Sequence, residues 1–360
     1  MSIIHRTTPR QLSNRRTAWL KPAGSDCDIV LTTKLRLARN LSGRNFPVKA
    51  KPQEFIEVRN ELLNALDASD YSKTFSIYNV DNLSEIARFI LLERRIISSK
   101  MAHSELKGLA AGVSGGEELS FMINEEDHFK VQSIVSGMNV SRAWRKLNKF
   151  IQDFNKIIEF SNSQELGWLT SSPKDVGTGL RISFFCHLPA LTITDRLDKV
   201  FDKIISASIS IQGIFGDGYP NHSNIFQISN QATLGLTEEE IMEKTELIVR
   251  QVIEAERKAK ERLKRRSDLR ARDIVGRSFY ILKHARLLGV MEFISFISAI
   301  RLGIDLGWIK GIDYYRLNLI LVKCLPGHLS IKFNKMPRLM ELDRNRADFV
   351  RENLKYMELA

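Results

Sequence analysis

The feature that most constrains the fold is a change in hydrophobic periodicity at Thr237. Before this residue, short apolar or alternating runs typical of β-strands are interspersed with segments of helical spacing. Thr237 is a residue type that caps helices, and three glutamates follow it. Apolar residues then keep helical spacing for more than six turns. After Arg272 the pattern is almost wholly helical. The sequence therefore predicts a mixed α and β region followed by a helical one.

The predicted elements divide the chain into two domains and two basic segments. Strands are predicted over 28–33, 75–80, 119–124, 168–171, 180–186, 208–215 and 225–229. Helices are predicted between them, over 53–66, 84–97, 142–160 and 195–205. At ~150 residues per domain, a chain of 360 residues suggests two domains. We expect a basic N-terminal extension over 1–24, a main domain over 25–256, a basic linker helix over 257–272, and a small helical domain over 273–360.

Basic residues are concentrated at two places. The chain has 54 Lys and Arg against 42 Asp and Glu, a formal net charge of +12. Residues 1–24 have a net charge of +5 and residues 257–272 one of +7, so the remainder is neutral overall. This distribution argues against a uniformly basic nucleic-acid-binding protein, because most of the chain has no field that attracts phosphate. The sequence of residues 257–272 is compatible with two interpretations, a solvated basic helix and a patch that binds nucleic acid.

The three cysteines, Cys27, Cys186 and Cys324, are far apart and form no C-x-x-C pair. Their spacing argues against a disulfide framework or a structural zinc site and favours reduced thiols, and we predict no metal site in the protein. The N-terminus lacks an apolar core of signal-peptide length, and no run approaches the ~18 apolar residues of a membrane span. We expect a soluble, cytoplasmic protein that does not interact with membranes.

Three segments combine glycines and polar side chains in ways that a packed core does not require. Segment 122–128 contains Glu125, Glu126 and Asp127, segment 170–181 is rich in hydroxyl groups and ends in Arg181, and segment 213–218 contains three glycines. Successive side chains of a regular strand face opposite ways, so Glu125 and Glu126 are not expected to point into one pocket. Each segment taken alone also fits an ordinary surface turn. The sequence contains no P-loop, dinucleotide-binding or zinc-hydrolase motif.

Taken in order, five segments resemble the catalytic domain of the ATP:guanidino phosphotransferases, the creatine and arginine kinase family. They are DIVLTTKLRLARNL (28–41), INEEDHFKVQ (123–132), GWLTSSPKDVGTGLR (167–181), GIFGDG (213–218) and IFQISNQATLG (225–235). Within the family, the chain is most similar to the bacterial kinases that phosphorylate arginine side chains of proteins. RLGIDLGWIKG (301–311) and ELDRNRADFVRENL (341–354) resemble the additional C-terminal domain of that branch.

The resemblance implies a fold and a reaction. The fold is α+β, an antiparallel sheet flanked by helices, followed by a small all-α domain. In phosphoryl transfer, positioning and charge stabilisation supply most of the catalysis. The family pattern assigns Glu126 to aligning the guanidinium and accepting its proton, with Glu125, Asp217 and Ser172 as further catalytic residues. Because a guanidinium has a pKa above ~12, alignment with late proton loss is expected.

The resemblance also implies ATP and Mg²⁺ as cofactors and a set of residues that bind them. The implied nucleotide-binding residues are Thr32, Thr33, Lys34, Leu35, Arg36, Arg95, Lys130, Arg181, Ile182, Ser183, Phe184, Phe185, Gln212, Gly213, Ile214, Phe215, Gly216 and Asp217. In the C-terminal domain, Asp343 and Arg346 correspond to residues that bind phosphoarginine.

Several positions depart from the family pattern. The five arginines of the family's nucleotide site correspond here to Lys34, Arg36, Lys130, Arg181 and Gln212. The two lysines keep the charge but lose the bidentate fork of arginine, and the glutamine loses the charge. Ser172 stands for the family's active-site cysteine, Asp217 for a glutamate, and Arg95 for a histidine. Leu342 replaces the first arginine of the phosphoarginine-binding motif.

The function expected from the resemblance is transfer of the ATP γ-phosphoryl group to arginine side chains of proteins, in protein quality control and stress response. The expected partners are arginine-containing protein substrates, a zinc-binding activator protein, the Clp protease and a second copy in a homodimer. The alternative is a catalytically weakened relative that binds phosphoarginine proteins or a protease adaptor.

Overall fold

The strands of the first region assemble into one large antiparallel sheet. The computed structural model describes residues 8–15, 17–213, 223–266, 268–333 and 335–360. The strands within these residues are β1 (Val30–Arg39), β2 (Phe75–Asn79), β3 (Ala110–Ser114), β4 (Leu119–Ile123), β5 (Phe129–Ser136), β6 (Asn162–Ser163), β7 (Gly167–Trp168), β8 (Leu180–His187), β9 (Ile209–Gly213), β10 (Ile225–Asn230), β11 (Ile309–Lys310) and β12 (Glu358–Leu359). Eight of them pair in the order β2-β3-β4-β5-β1-β8-β10-β9, and every neighbouring pair is antiparallel.

Helices pack against this sheet and form most of the C-terminal region. They are α1 (Pro9–Asn14), α2 (Pro52–Asp67), α3 (Glu85–Glu93), α4 (Ser99–Ala102), α5 (Val140–Phe154), α6 (Pro189–Ile193), α7 (Leu197–Ile205), α8 (Glu238–Arg266), α9 (Leu269–His284), α10 (Val290–Asp305), α11 (Tyr314–Lys323), α12 (Pro326–Leu329) and α13 (Leu339–Asn353). Helix α5 covers β1 and β5, while α8 packs on β8 and β10. Phe129 of β5 stacks on Phe154 of α5 with ring centroids 5.1 Å apart. Aromatic packing of this kind fixes the helix on the apolar face of the sheet.

The predicted α+β architecture is confirmed, and each predicted strand contains part of an observed one. Two strands of the sheet, β3 and β5, were not predicted. Strand β3 has the sequence AAGVS, whose small residues have little intrinsic preference for strand structure. Strand β5 contains Lys130, Gln132 and Ser133, yet every one of its residues is buried. Apolar and polar residues alternate only from Phe129 to Gln132, and Ser133 interrupts the pattern from which a strand is predicted.

Three of the predicted helices end earlier than expected. The helix predicted over 142–160 ends at Phe154, and local backbone chemistry explains the other two. The helix predicted over 84–97 ends at Glu93, and Arg95 then has a φ of +61°, a left-handed conformation that a continuing helix excludes. The single basic helix predicted over 257–272 is corrected to two. Helix α8 ends at Arg266, and Asp268 starts α9 by accepting a hydrogen bond from the backbone N–H of Ala271 at 3.0 Å.

The C-terminal region is helical, as predicted, and also contains the short ribbon of β11 and β12, which was not predicted. It contacts the main sheet through side chains. The ring Nε2 of His187, the last residue of β8, lies 2.8 Å from Ser298 Oγ on α10, and Arg301 donates to the carbonyl of Cys27 at 2.5 Å. The C-terminal helices are therefore hydrogen-bonded to the sheet on which the candidate site lies.

The three cysteines are free thiols, with Cys186 and Cys324 buried and Cys27 half-buried. None of the helices in the described part of the chain is long and apolar enough to cross a membrane.

One buried ion pair attaches the N-terminal segment to the main domain. Arg94 and Glu117 are each 1% exposed in their side chains. Arg94 Nε donates to Glu117 at 2.9 Å, and Nη2 donates both to Glu117 and to the carbonyl of Arg15 at 3.1 Å. Removal of one member of such a pair leaves the other charge buried without a partner.

We therefore predict that Glu117→Ala lowers the free energy of unfolding by about 3–5 kcal/mol, because Arg94 stays buried without its carboxylate. The measurement is urea unfolding followed by circular dichroism. The control is Glu246→Ala, which removes the exposed pair with Arg250 on α8 and costs less than about 1 kcal/mol. Equal losses of unfolding free energy in the two variants would show that the buried Arg94–Glu117 pair stabilises the protein no more than the exposed Glu246–Arg250 pair does.

Candidate active site

A row of cations lies across the polar face of the central strands. Because strand side chains alternate, Thr32, Lys34 and Arg36 of β1 share one face. Residues directly opposite in an antiparallel pair share a face as well. The β8 residues opposite these three are Phe185, Ser183 and Arg181. On the other side of β1, Gln132 of β5 is opposite Arg36, and Lys130 is opposite Ala38.

The intervening residues of the same motifs face the core. Thr33 is fully buried and donates its hydroxyl to the carbonyl of Gly137 at 2.6 Å. Leu35, Ile182 and Phe184 are also fully buried and belong to the hydrophobic core. The side chains of these four implied nucleotide-binding residues therefore point away from the cations.

Arg95 completes what we call the cation face, formed by Lys34, Arg36, Arg95 and Arg181. Its guanidinium lies 3.8 Å from the ring centroid of Phe185, and its Nη1 donates to Thr32 Oγ1 at 3.4 Å. Burial lowers the pKa of Arg95 to about 10, so the group remains charged near neutral pH. A planar cation stacked on an aromatic ring provides a surface on which a flat base can stack.

Lys34 is the most strongly perturbed member of the cation face. Burial and the neighbouring charges of Arg36 and Arg95 lower the pKa of Lys34 to about 7. Among the described residues, no carboxylate lies within ion-pair distance of its amine. A bound anion would offset the repulsion between these cations, so the arrangement favours a polyanionic ligand.

An acidic turn, Glu125, Glu126 and Asp127, adjoins the cation face. Strand β4 ends at Ile123, and Asn124 turns the chain with a φ of +61°. The Asn124 side chain fixes this turn by donating to the carbonyls of Phe55 and Gly108 at 2.7 and 2.8 Å. A left-handed residue between the strand and the acids breaks the alternation of side chains.

Both glutamates of the acidic turn consequently reach the same ammonium group. Lys130 Nζ donates to Glu125 and to Glu126, each at 2.7 Å, and Lys130 is itself 1% exposed in its side chain. The expectation that Glu125 and Glu126 point apart is therefore wrong, because it assumed regular strand geometry up to Glu126. The Glu126 side chain is 39% exposed and that of Glu125 only 7%, so Glu126 is the carboxylate that a ligand reaches.

Both glutamates are held in the ionised form. Burial opposes ionisation of Glu125, but the charge and hydrogen bond of Lys130 and a 2.8 Å hydrogen bond from Ser98 lower its pKa below the usual value. For Glu126, burial is likewise outweighed by the hydrogen bond and charge of Lys130, and its pKa is also lowered. Two carboxylates that share one lysine keep a net negative charge, which suits a cationic group such as a guanidinium.

Asp127 has a structural task in the same turn. It is fully buried, and its Oδ1 accepts from Asn40 Nδ2 at 2.8 Å and from the backbone N–H of Ser171 at 2.6 Å. These bonds tie the acidic turn to the segment that contains Ser172. The side chain of Ser172 is half-buried, and only its backbone carbonyl enters the hydrogen bonds described, accepting from Thr170 Oγ1 at 2.7 Å.

The loop after Ser172 brings an acid into the cation face. Asp175 is buried, with Oδ2 at 3.2 Å from Arg36 Nη2 and Oδ1 at 3.9 Å from Arg181 Nε. Thr233 Oγ1 anchors the loop by donating to the carbonyls of Lys174 and Val176 at 3.0 and 2.6 Å. No role was predicted for Asp175, although it lies inside the segment 167–181 that resembles the family.

A Cβ atom at one glycine of this loop would push the loop away from its anchor. Gly177 has a φ of +109°, and a side chain there would approach the carbonyl oxygen of Thr233 to 2.7 Å. Glycine is therefore required at this position, and the position of the Asp175 carboxylate depends on it.

Gln212 and Gly213 lie on the edge strand β9, opposite Gln227 and Phe226 of β10. The predicted residues Ile214, Phe215, Gly216 and Asp217 lie outside the described residues.

The two predicted phosphoarginine-binding residues are engaged within the protein. Arg346 is 1% exposed and donates to the carbonyls of Cys324 and Leu288 at 2.9 and 2.6 Å, and to Asp343 at 2.7 Å. In this arrangement its guanidinium joins α13 to two neighbouring segments and is closed to an external ligand.

No group of three or more His, Cys, Asp or Glu side chains in the described part of the chain is arranged to hold a metal ion. The arrangement combines a surface suited to a polyanion with a carboxylate suited to a cation. Chemically, it can bring a negatively charged donor and a guanidinium acceptor together.

Two family models match most of the chain. Residues 57–259 match the C-terminal catalytic domain of the ATP:guanido phosphotransferases, and residues 268–360 match the C-terminal domain of the protein-arginine kinase McsB. Proteins named protein-arginine kinase are similar over nearly the full length. The one from Halalkalibacterium halodurans is 35% identical over 96% of this chain and 97% of its own, and the one from Brevibacillus brevis is 34% identical over 96% and 98%.

Solved structures of the same fold include two kinases. A lombricine kinase superposes with a TM-score of 0.58 at 21% identity, covering 66% of this chain and 70% of its own. A duplicated taurocyamine kinase from Schistosoma mansoni gives 0.58 at 23% identity, covering 68% and 35%. The superpositions show the same fold, and the family model and the full-length relatives show that the chain belongs to the ATP:guanido phosphotransferase family.

Proposed function

We propose that this protein transfers the γ-phosphoryl group of ATP to arginine side chains of other proteins. The observation that carries the proposal is the half-exposed carboxylate of Glu126, held ionised by Lys130 and adjoining the cation face. The name shared by the full-length relatives supports the same reaction. A protein side chain is a suitable acceptor because Glu126 is open to solvent on one side.

In the proposed complex, the cation face holds the triphosphate. Arg36 and Arg181 are the two members that retain a guanidinium fork for phosphate oxygens. The adenine base stacks next to Arg95 and Phe185, where a planar cation already lies on an aromatic ring. Four cations on one face also spread positive charge over the oxygens of the transferring group.

Glu126 has two roles toward the arginine substrate. Its carboxylate orients the guanidinium, so that one nitrogen lies in line with the γ-phosphorus. A P–N bond then forms as the bond between the γ-phosphorus and the leaving oxygen of ADP breaks. The nitrogen loses its proton to Glu126 late in this step, because the free guanidinium has a pKa above ~12.

The metal and the partners follow from the family alone. We infer that Mg²⁺ accompanies the nucleotide, since this ion is usually bound through substrate phosphates and waters with few protein carboxylates. We also propose a cytoplasmic enzyme that acts in protein quality control as a homodimer, with a zinc-binding activator protein and the Clp protease as partners. The alternative role as a phosphoarginine-binding module is less favoured, because Arg346 is buried in internal hydrogen bonds.

The direct assay is incubation of the protein with γ-labelled ATP and an arginine-rich protein. We expect label that is stable to base and released by acid, and a reduction of about 100-fold or more in Glu126→Gln, because the neutral amide no longer aligns the guanidinium. The control variant is Asp153→Asn, at a partly exposed carboxylate on α5 that belongs neither to the cation face nor to the acidic turn. Absence of labelled protein, or equal labelling by Glu126→Gln, would refute the proposed function.

A second prediction concerns pH. Lys34 has a pKa of about 7 in the free protein, and a bound triphosphate raises it, so nucleotide binding takes up a proton above pH 7. Affinity for ATP should therefore fall between pH 7 and 9, by up to about tenfold per unit. In Lys34→Arg the slope should be close to zero, since arginine stays charged. Calorimetric titration with ATP at several pH values measures the pH dependence of affinity in both proteins. The same pH dependence in the two proteins would contradict the role of Lys34.

A third prediction concerns Asp175, whose carboxylate offsets part of the charge that attracts the nucleotide. Asp175→Asn keeps the shape of the side chain and removes that charge. We expect ATP to bind about threefold to tenfold more tightly, as for the loss of a nearby like charge worth about 1 kcal/mol. Asp153→Asn is again the control. Weaker binding in Asp175→Asn would mean that the carboxylate mainly holds the two arginines in place.

A further inference from the structure

A groove between α7 and α8 lies apart from the cation face. Its volume is about 530 Å³. Its lining comes from the end of α6, from α7 and its preceding turn, and from the C-terminal half of α8. None of the lining residues belongs to the cation face or to the acidic turn.

Five cations line this groove in two rows. Lys199 and Lys203 are four residues apart and share one face of α7, and Arg196, the N-cap residue of that helix, precedes Lys199 by three residues. Lys258 and Arg262 are four residues apart and share a face of α8 in the same way. All five side chains are exposed. The groove therefore has positive charge along both edges.

The charges of these edges are little compensated. Asp195 is the one acid of the lining, and it lies 3.6 Å from Arg270. Lys258 pairs loosely with Glu254 at 3.5 Å, and both are largely exposed. Across the described residues, the other four cations of the groove have no carboxylate within ion-pair distance.

The floor of the groove is apolar and made of small or branched side chains. Leu191 and Ala259 are buried there, while Val200 and Ala255 are half-buried. A floor of this kind contacts aliphatic side chains, and two alanines on successive turns of α8 leave room for them. A groove that only attracted phosphate would need no apolar floor.

We propose that this groove binds an acidic, amphipathic segment of a partner protein. Its carboxylates would lie against the two rows of cations, and its apolar side chains against Leu191, Val200 and the alanines. From Arg196 to Lys203 the groove runs about 10 Å along α7, at 1.5 Å per helical residue. This length matches about two turns of a bound helix. A nucleic acid would use the cations but leave the apolar floor uncovered.

The test measures binding of three fluorescent probes to the full chain at low and moderate salt. The first is a 14-residue peptide with leucines at helical spacing and glutamates elsewhere, the second a scramble of the same composition, and the third a 14-nucleotide oligothymidylate. We expect the first probe to bind at least about tenfold more tightly than the other two, with affinity that falls as salt rises.

The variant Lys199→Glu/Arg262→Glu reverses one charge on each edge of the groove and should lower the affinity for the first probe at least about tenfold. The control is Lys49→Glu/Lys73→Glu, which makes the same change in net charge at two exposed lysines outside the groove and should leave the affinity unchanged. Equal weakening in both variants, or equal binding of the scramble, would overturn the proposal. Tightest binding by the oligothymidylate would assign the groove to nucleic acid instead. Thermal unfolding of both variants confirms that each is folded.

Discussion

The central constraint in this protein is the pairing of β1 with both β5 and β8 in the middle of the sheet. Because strand side chains alternate, this pairing sends Lys34 and Arg36 to one face and Leu35 and Leu37 to the core. Arg181 joins the first group because it is directly opposite Arg36. A shift by one residue would bury the cations and expose the core, so the same register that packs the domain also assembles its cation face.

Charge is divided within the site in a way that suits two ligands of opposite sign. Among the described residues, Asp175 is the carboxylate that forms ion pairs with the cation face, which keeps a surplus of positive charge. Lys130 is the cation that forms ion pairs with the acidic turn, which keeps a surplus of negative charge. Each surplus favours binding of the opposite charge, and each internal partner reduces the repulsion between like charges. In the proposed complex, the triphosphate of the nucleotide neutralises the cation face, and the guanidinium of the substrate neutralises the acidic turn.

The sequence was sufficient to predict the α+β class, most strands and the segments that form the site, because motifs and hydrophobic patterns are local. It was not sufficient to predict side-chain direction. Thr33 and Ile182 lie within motifs but face the core, and Glu125 and Glu126 converge because Asn124 adopts a left-handed conformation. The pairing of Asp175 with Arg36 joins residues 139 positions apart, and no local pattern contains that contact.

The central claim is that the γ-phosphorus becomes bonded to a nitrogen of an arginine side chain. Phosphorus NMR of a substrate protein whose arginine guanidino groups contain ¹⁵N tests this claim most directly. After reaction with ATP and this protein, the account predicts a phosphorus signal of the substrate protein split by coupling to ¹⁵N. A phosphorus signal without this splitting, as from a phosphate ester of serine or tyrosine, would contradict it.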